Sequence, residues 1–440
     1  MNRLMEVSRV FRLGWFLSTG FGVYGWNGTW SGNAGRDVAN PQLFIDTATS
    51  LERAGFDYMM LEDSSVLPDA YGGGFDYSVE RAVIRLDPMP LVPILARATK
   101  HLGVVATMAT TFYPPFMAAR LMSTLDHLTE GRVGINLVTS SPDGAAQNYG
   151  HEQLFEHDLR YKMANEWVDA VKTLLGTWEE GSLLLDEHSG RFADPAKVHY
   201  ADFDGEFYRT RGPLNTLPSP QRGHPVFCQA GGSPAGRDFG ARNADTIIAA
   251  SGTVEAMKEY RRDISDRLLE CGRSPEDVKV LFLCNPILSD TDSAAWEKRD
   301  ALDAAAAADV ETNLFNLSYH SGVDFSKFAL DEPLPELDQT NGHQSTMERF
   351  ITGARGKTLR EALPSKSRWG PELVGSPESV ATQMQDIMSE VGGDGFLIGN
   401  PVTRREVTEV CDGLAPVLRR RGAIRDAYRG KTFRENLRDF

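Results

Sequence analysis

His157 and Tyr161 stand four residues apart at the start of an amphipathic stretch, a spacing that puts an imidazole and a phenol on one helix face. Together they can move a proton or grip an anion; buried in a core they would be an ordinary aromatic pair. A second cluster, Gly231-Gly232-Ser233-Pro234, sets small residues and a hydroxyl ahead of a helix whose first N–H groups lack partners. That is a place for a phosphate, or an N-cap and nothing more. Polar residues also close several short apolar runs: Leu61-Glu62-Asp63, Thr107 to Thr111, Asn136 to Ser141, and Gln229 to Ser233. A single such residue can satisfy buried backbone, but four strand ends agreeing point to one polar site.

Other chemistries fail on spacing. Gly356-Lys357-Thr358 and Gly430-Lys431-Thr432 end like phosphate loops, yet the leading glycine of the motif falls on Ile351 and Arg425. The run Gly393 to Gly399 misses the dinucleotide fingerprint by one residue and spans a strand, so no nicotinamide-binding unit is expected. Gly231-Gly232-Ser233-Pro234-Ala235 lacks the final glycine of a hydrolase nucleophile elbow. The four cysteines, Cys228, Cys271, Cys284 and Cys411, are scattered, which suggests neither a metal site nor disulfides and fits a cytoplasmic protein. Forty-six basic against 61 acidic residues give a net charge of −15, which disfavours nucleic acid and anionic membranes as partners. Any bound anion must then be held locally. The apolar Leu13–Leu17 run after Arg12 is broken by Ser18 and Thr19, and reads as mature protein and not as a leader.

The elements that would carry these groups alternate. Strands are expected at 11–17, 56–61, 102–108, 133–138, 225–229, 246–249, 278–288 and 395–398, each followed by a helix: 41–54, 88–100, 115–128, 157–178, 235–243, 254–271, 377–391 and 404–420. Eight consecutive strand–helix units are the signature of a TIM (β/α)8 barrel, with an open doubly wound sheet as the alternative. All 440 residues then form one α/β domain with long insertions after strands 2, 4 and 7, at about 64–87, 179–224 and 289–375. A β-hairpin is expected from 197–200 and 205–208, and the third insertion would lie over the barrel mouth as a lid.

The chain resembles the flavin-dependent monooxygenases of the bacterial luciferase-like superfamily, in the subgroup of nitrilotriacetate and dibenzothiophene-sulfone monooxygenases. The resemblance rests on Tyr71-Gly72-Gly73, the run Met122 to Arg132, Asn136 to Ser140, His157 to Tyr161, Gly212 to Asn215, Gln229-Ala230-Gly231 and Tyr428 to Thr432. It implies a barrel that binds reduced FMN delivered by a separate NAD(P)H:flavin reductase and activates dioxygen to oxygenate a small organic substrate, at carbon beside nitrogen or sulfur. It also implies a homodimer or homotetramer. Carried over, Asp63, Thr107 and Asn136 match positions lining the flavin ring, while His157, Tyr161 and Ser233 match the ribityl and phosphate end, with Gly232 a further cofactor-binding candidate where the family often has Ser. His157 is the candidate catalytic residue. Phe16, Trp26 and Tyr71, with His320 and His343 from the lid, are candidates for the substrate side. The chain departs from the family at Ala109, often Ser, and at Trp26-Asn27-Gly28-Thr29, often Trp-Arg-His-Pro. A deazaflavin-dependent oxidoreductase, a non-catalytic flavin-binding protein and a metal-dependent hydrolase are the competing readings.

Overall fold

Eight short strands, too apolar for any surface, close on themselves in the computed structural model, which describes residues 10–18, 20–22, 40–221, 223–334, 350–363 and 370–439. They are β1 (Arg12–Leu17), β2 (Tyr58–Leu61), β3 (Gly103–Ala109), β4 (Val133–Val138), β5 (Val226–Gln229), β6 (Thr246–Ala249), β7 (Lys279–Cys284) and β8 (Gly395–Ile398). Each pairs in parallel with its sequence neighbour, and β8 pairs with β1, giving a closed barrel. The helices are α1 (Gln42–Ala54), α2 (Leu91–Ala98), α3 (Pro115–Leu128), α4 (His157–Leu175), α5 (Pro234–Asn243), α6 (Val254–Glu270) and α7 (Pro377–Val391). The last, α8, runs 404–420 with a π-helical stretch at Glu409–Leu414. Pro416 has no N–H to return to the preceding turn, which accounts for the interruption.

The strands alternate with period two. Tyr58 and Met60, Val226 and Cys228, and Leu281 and Leu283 fill the barrel interior, while Met59, Leu61, Phe227, Val280 and Phe282 pack outward on the helices. The bottom is plugged by a C-terminal helix, Phe433–Arg438, whose Phe433 ring enters the barrel. It lies so close that a Cβ on Gly103 or Gly134 would sit 2.6 or 2.9 Å from it. Arg425 pairs with buried Asp57, which accepts the Leu13 N–H at 2.9 Å, and Arg434 pairs with Asp245.

Two strand-level expectations change. The seventh strand stops at Cys284, and Ile287–Leu288 forms its own two-residue pairing with Val374–Gly375, because Pro286 breaks the ladder. The second insertion holds two hairpins, Leu183–Asp186 with Arg191–Ala193 and Phe203–Asp204 with Arg209–Thr210, and not the one expected from 197–200 and 205–208. Pro195–Lys197 is a 3-10 turn capped by the Asp194 side chain, so the alternating pattern there is local chemistry. This insertion leaves from the end of α4, on the face opposite the mouth. The first and third insertions meet: Tyr71, Tyr77 and Phe315 form an aromatic cluster, Tyr77 Oη lies 2.7 Å from Thr312 Oγ1, and the Gly72 N–H donates to Asp324 Oδ1 at 2.9 Å.

Candidate active site at the barrel mouth

Thr107 and Asn136 are register partners on β3 and β4, and the period-two alternation turns both inward at the mouth. Thr107 Oγ1 donates to the Leu61 carbonyl at 2.9 Å and accepts from Asn136 Nδ2 at 2.9 Å, while Asn136 Oδ1 is buried with no partner. Leaving a buried acceptor unmade costs about 1–3 kcal/mol, which makes this oxygen a candidate acceptor for a ligand N–H. Phe16, at the end of β1, packs half-buried on the inner cluster beside them.

Beside this pair lies a cup built by α4 and α5. Ser233 caps α5, accepting the Gly236 N–H at 3.2 Å, and its Oγ is 3.3 Å from His157 Nε2. Tyr161 hydrogen-bonds the Ser233 and Thr139 side chains, and burial raises its phenol pKa, so it stays a donor at neutral pH. The hydroxyl reaches the helix only because residue 236 is glycine: a Cβ there would lie 2.8 Å from the Tyr161 oxygen. Gly231 and Gly236 pack backbone to backbone for the same reason. His157 and Tyr161 meet edge to face at 5.1 Å, and His157 Nδ1 is 2.8 Å from Asp158 Oδ1. A hydroxyl pair, a helix N-terminus and an imidazole converge there, a donor set suited to a dianionic phosphate.

Arg237, Arg85 and Tyr319 were not singled out beforehand, and residues already marked at the strand ends gain partners that spacing did not give. Ser140 sits at φ 62, and its carbonyl accepts from the buried Arg160 at 2.6 Å, which fixes the turn carrying Thr139. Arg237 donates to the Gly232 carbonyl at 3.1 Å while another of its nitrogens pairs with Asp263 at 3.0 Å, so it braces the glycine turn of the cup. Glu62 and Asp63 close β2, and burial pushes their carboxyl pKa values up to about 7 and about 6. Arg85, from the first insertion, lies 3.4 Å from Glu62, and Tyr319 of the helix Val310–Ser321 in the third insertion donates to Ser64 at 3.1 Å.

The other expected residues scatter. Tyr71 belongs to the cluster joining the insertions, and His320 lies partly buried against Tyr319, ring centroids 5.1 Å apart. Trp26 and His343 fall outside the described residues. The run Met122 to Arg132 is architectural: Asp126 accepts from Gln221 at 2.6 Å, Gln221 also donates to the Val133 carbonyl at 2.8 Å, and Arg132 donates to the Ala96 carbonyl at 2.7 Å. Among the described residues no cluster of three or more His, Cys, Asp or Glu side chains is arranged to hold a metal, and no helix is long and apolar enough to cross a membrane.

The chain is similar over nearly its whole length to proteins of known activity. It is 35% identical to the dibenzothiophene-sulfone monooxygenase of Rhodococcus erythropolis (strain XP), over 98% of this chain and 97% of that one. It is 34% identical to component A of the nitrilotriacetate monooxygenase of Aminobacter aminovorans, covering 90% of this chain and 89% of the other. Among solved structures, a riboflavin lyase crystallised with modified FMN and riboflavin superposes with a TM-score of 0.86 at 29% identity, covering 98% and 96% of the two chains. The pattern of the luciferase-like monooxygenases matches residues 11–395. A closed barrel with its polar groups at one mouth, together with these likenesses, places the chain in the luciferase-like monooxygenase family as an oxygenating oxidoreductase.

Proposed function

We propose that the protein is the oxygenating component of a two-component system, using reduced FMN from a separate NAD(P)H:flavin reductase and dioxygen to oxidise a small sulfur- or nitrogen-containing molecule. The reading is carried by the unpartnered Asn136 Oδ1 at the strand ends next to the Ser233–Tyr161 cup, which suits a ring edge with an N–H and a tethered phosphate. When bound, reduced FMN supplies the electrons that activate oxygen. The chain's residues do the rest. Asn136 accepts from the ring edge and is held in orientation by Thr107. Asp63, at the end of β2, borders the ring; Gly232, Ser233 and Tyr161 hold the phosphate. His157, with Ser233 facing one ring nitrogen and Asp158 the other, holds the cofactor and takes no part in proton transfer at the ring. Phe16 supplies an apolar wall, and Tyr319 helps to shut the mouth from water. A cytoplasmic homodimer or homotetramer is the assembly that accords with this reading.

Anaerobic titration tests it. Reduced FMN is expected to raise the melting temperature more than reduced riboflavin or a reduced deazaflavin at equal concentration, since only FMN fills both ring site and cup. Equal shifts from FMN and riboflavin, or a larger shift from the deazaflavin, would refute it.

A further inference from the structure

The rim of the mouth beside β2 carries an unequal set of charges. Glu62 continues the inward phase of Tyr58 and Met60, and Asp63 follows it. Asp87 lies near enough to raise the Asp63 pKa, and its side chain accepts the Met89 N–H at 2.8 Å. Against these three carboxylates stands Arg85, brought in on the two-residue strand Arg85–Leu86 that pairs with Phe21–Gly22. One Arg85 nitrogen lies 3.4 Å from both Glu62 oxygens, and Arg85 is the sole base acting on Glu62 or Asp63 among the described residues. Its Nε–H is buried without an acceptor. The other polar groups here are phenols. Tyr319 bonds Arg85 and Ser64, and Tyr113, close enough to Asp87 and Asp63 to feel both, has its pKa pushed up to about 12 by burial and stays neutral. Glu62, Asp63 and Arg85 are partly withdrawn from solvent while Asp87 is exposed, so the first three charges act at longer range than on open surface.

We infer that this rim selects the substrate by charge: it admits uncharged sulfur or nitrogen compounds and turns away polycarboxylates, with the Glu62–Arg85 pair setting the balance. A dianion entering the mouth would meet three carboxylates and a guanidinium already engaged by one of them. An uncharged molecule meets no such opposition. The two relatives differ in this respect, one acting on an uncharged sulfone and the other on an amino polycarboxylate. The inference rests on the flavin reading above and assigns this chain to the uncharged class.

The test is a matched pair of sulfides, thiodiacetate as the dianion and its uncharged diamide, titrated calorimetrically into the FMN-loaded protein at pH 8. The diamide is expected to bind at least about tenfold more tightly. Glu62→Gln should shrink that ratio to about threefold or less, and Arg85→Gln should widen it. Both substitutions break the same ion pair, so general damage would move the ratio one way, whereas charge moves it in opposite ways. Equal or tighter binding of the dianion, parallel shifts in the two variants, or no diamide binding up to about 10 mM would overturn the inference. FMN affinity measured on the same samples judges the flavin reading separately: retained FMN binding with no charge preference removes this inference alone.

Discussion

Ser233 shows how much one hydroxyl does here, since it caps α5, faces His157 and bonds Tyr161. Ser233→Ala is expected to cost about 1 kcal/mol of stability through the lost cap. It should also weaken FMN about tenfold, the size of a hydrogen bond to a charged group, while leaving riboflavin affinity nearly unchanged. Fluorescence titration with both flavins checks this, and an equal loss for both would mean that the cup does not hold the phosphate. For His157 the split runs between binding and turnover. If it only grips the cofactor, His157→Gln raises the Kd for FMN about tenfold and leaves kcat at saturating FMN within about threefold, whereas a proton-transfer role would lower kcat by about a hundredfold or more. Rapid mixing at saturating reduced FMN distinguishes the two.

At the scale of elements, the C-terminal helix does more than end the chain. Its first turn closes a capping box between Thr432 and Glu435, which aims Phe433 into the barrel bottom. Phe433→Ala would leave a ring-sized void beside Gly103 and Gly134, neither of which has a side chain to fill it, at a cost of about 3–5 kcal/mol. Chemical denaturation should report that loss with an unchanged m-value. Gly134→Val would be damaging for the opposite reason, because the added carbons meet both Phe433 and the Val226 carbonyl. The first and third insertions pack against each other, since the rings of Tyr71, Tyr77 and Phe315 meet across the two.

For the whole molecule, pH acts on stability from two sides. His224 is held neutral by burial, its pKa pushed down to about 4 from 6.5. Below pH 6.5 the unfolded chain takes up a proton that the folded one refuses, so stability falls as pH drops from 6.5 towards 4. Glu62 works the other way: its folded pKa of about 7 exceeds its ordinary 4.5, the folded state keeps the proton longer, and stability declines as pH rises between those values. Thermal melts from pH 4 to 8 should show His224→Gln flattening the acid limb and Glu62→Gln flattening the neutral one. A variant whose melting curve stays parallel to the parent at all pH values would remove that group from the account.

Sequence alone determined the order of elements and most strand limits, because buried parallel strands must be short apolar runs and their helices amphipathic. β4, β6 and β8 lie where the apolar pattern ends, and α3 and α7 begin at the prolines that start them. It also marked Thr107, Asn136 and Ser233, since polar groups at strand ends and before helices stand out against apolar neighbours, and Tyr161 through its four-residue spacing from His157. The tertiary structure alone decided what lies opposite what. Arg85 and Tyr319 sit in stretches with no barrel periodicity and reach the mouth only when the insertions fold back over it. Arg237 pairs with Asp263 of the neighbouring helix α6, a contact that no local spacing announces. The same holds for Tyr71, whose aromatic partners lie in an insertion more than 200 residues away as well as nearby. Spacing along the chain encodes which face of an element a residue occupies; contacts between distant insertions depend on packing that no local period records.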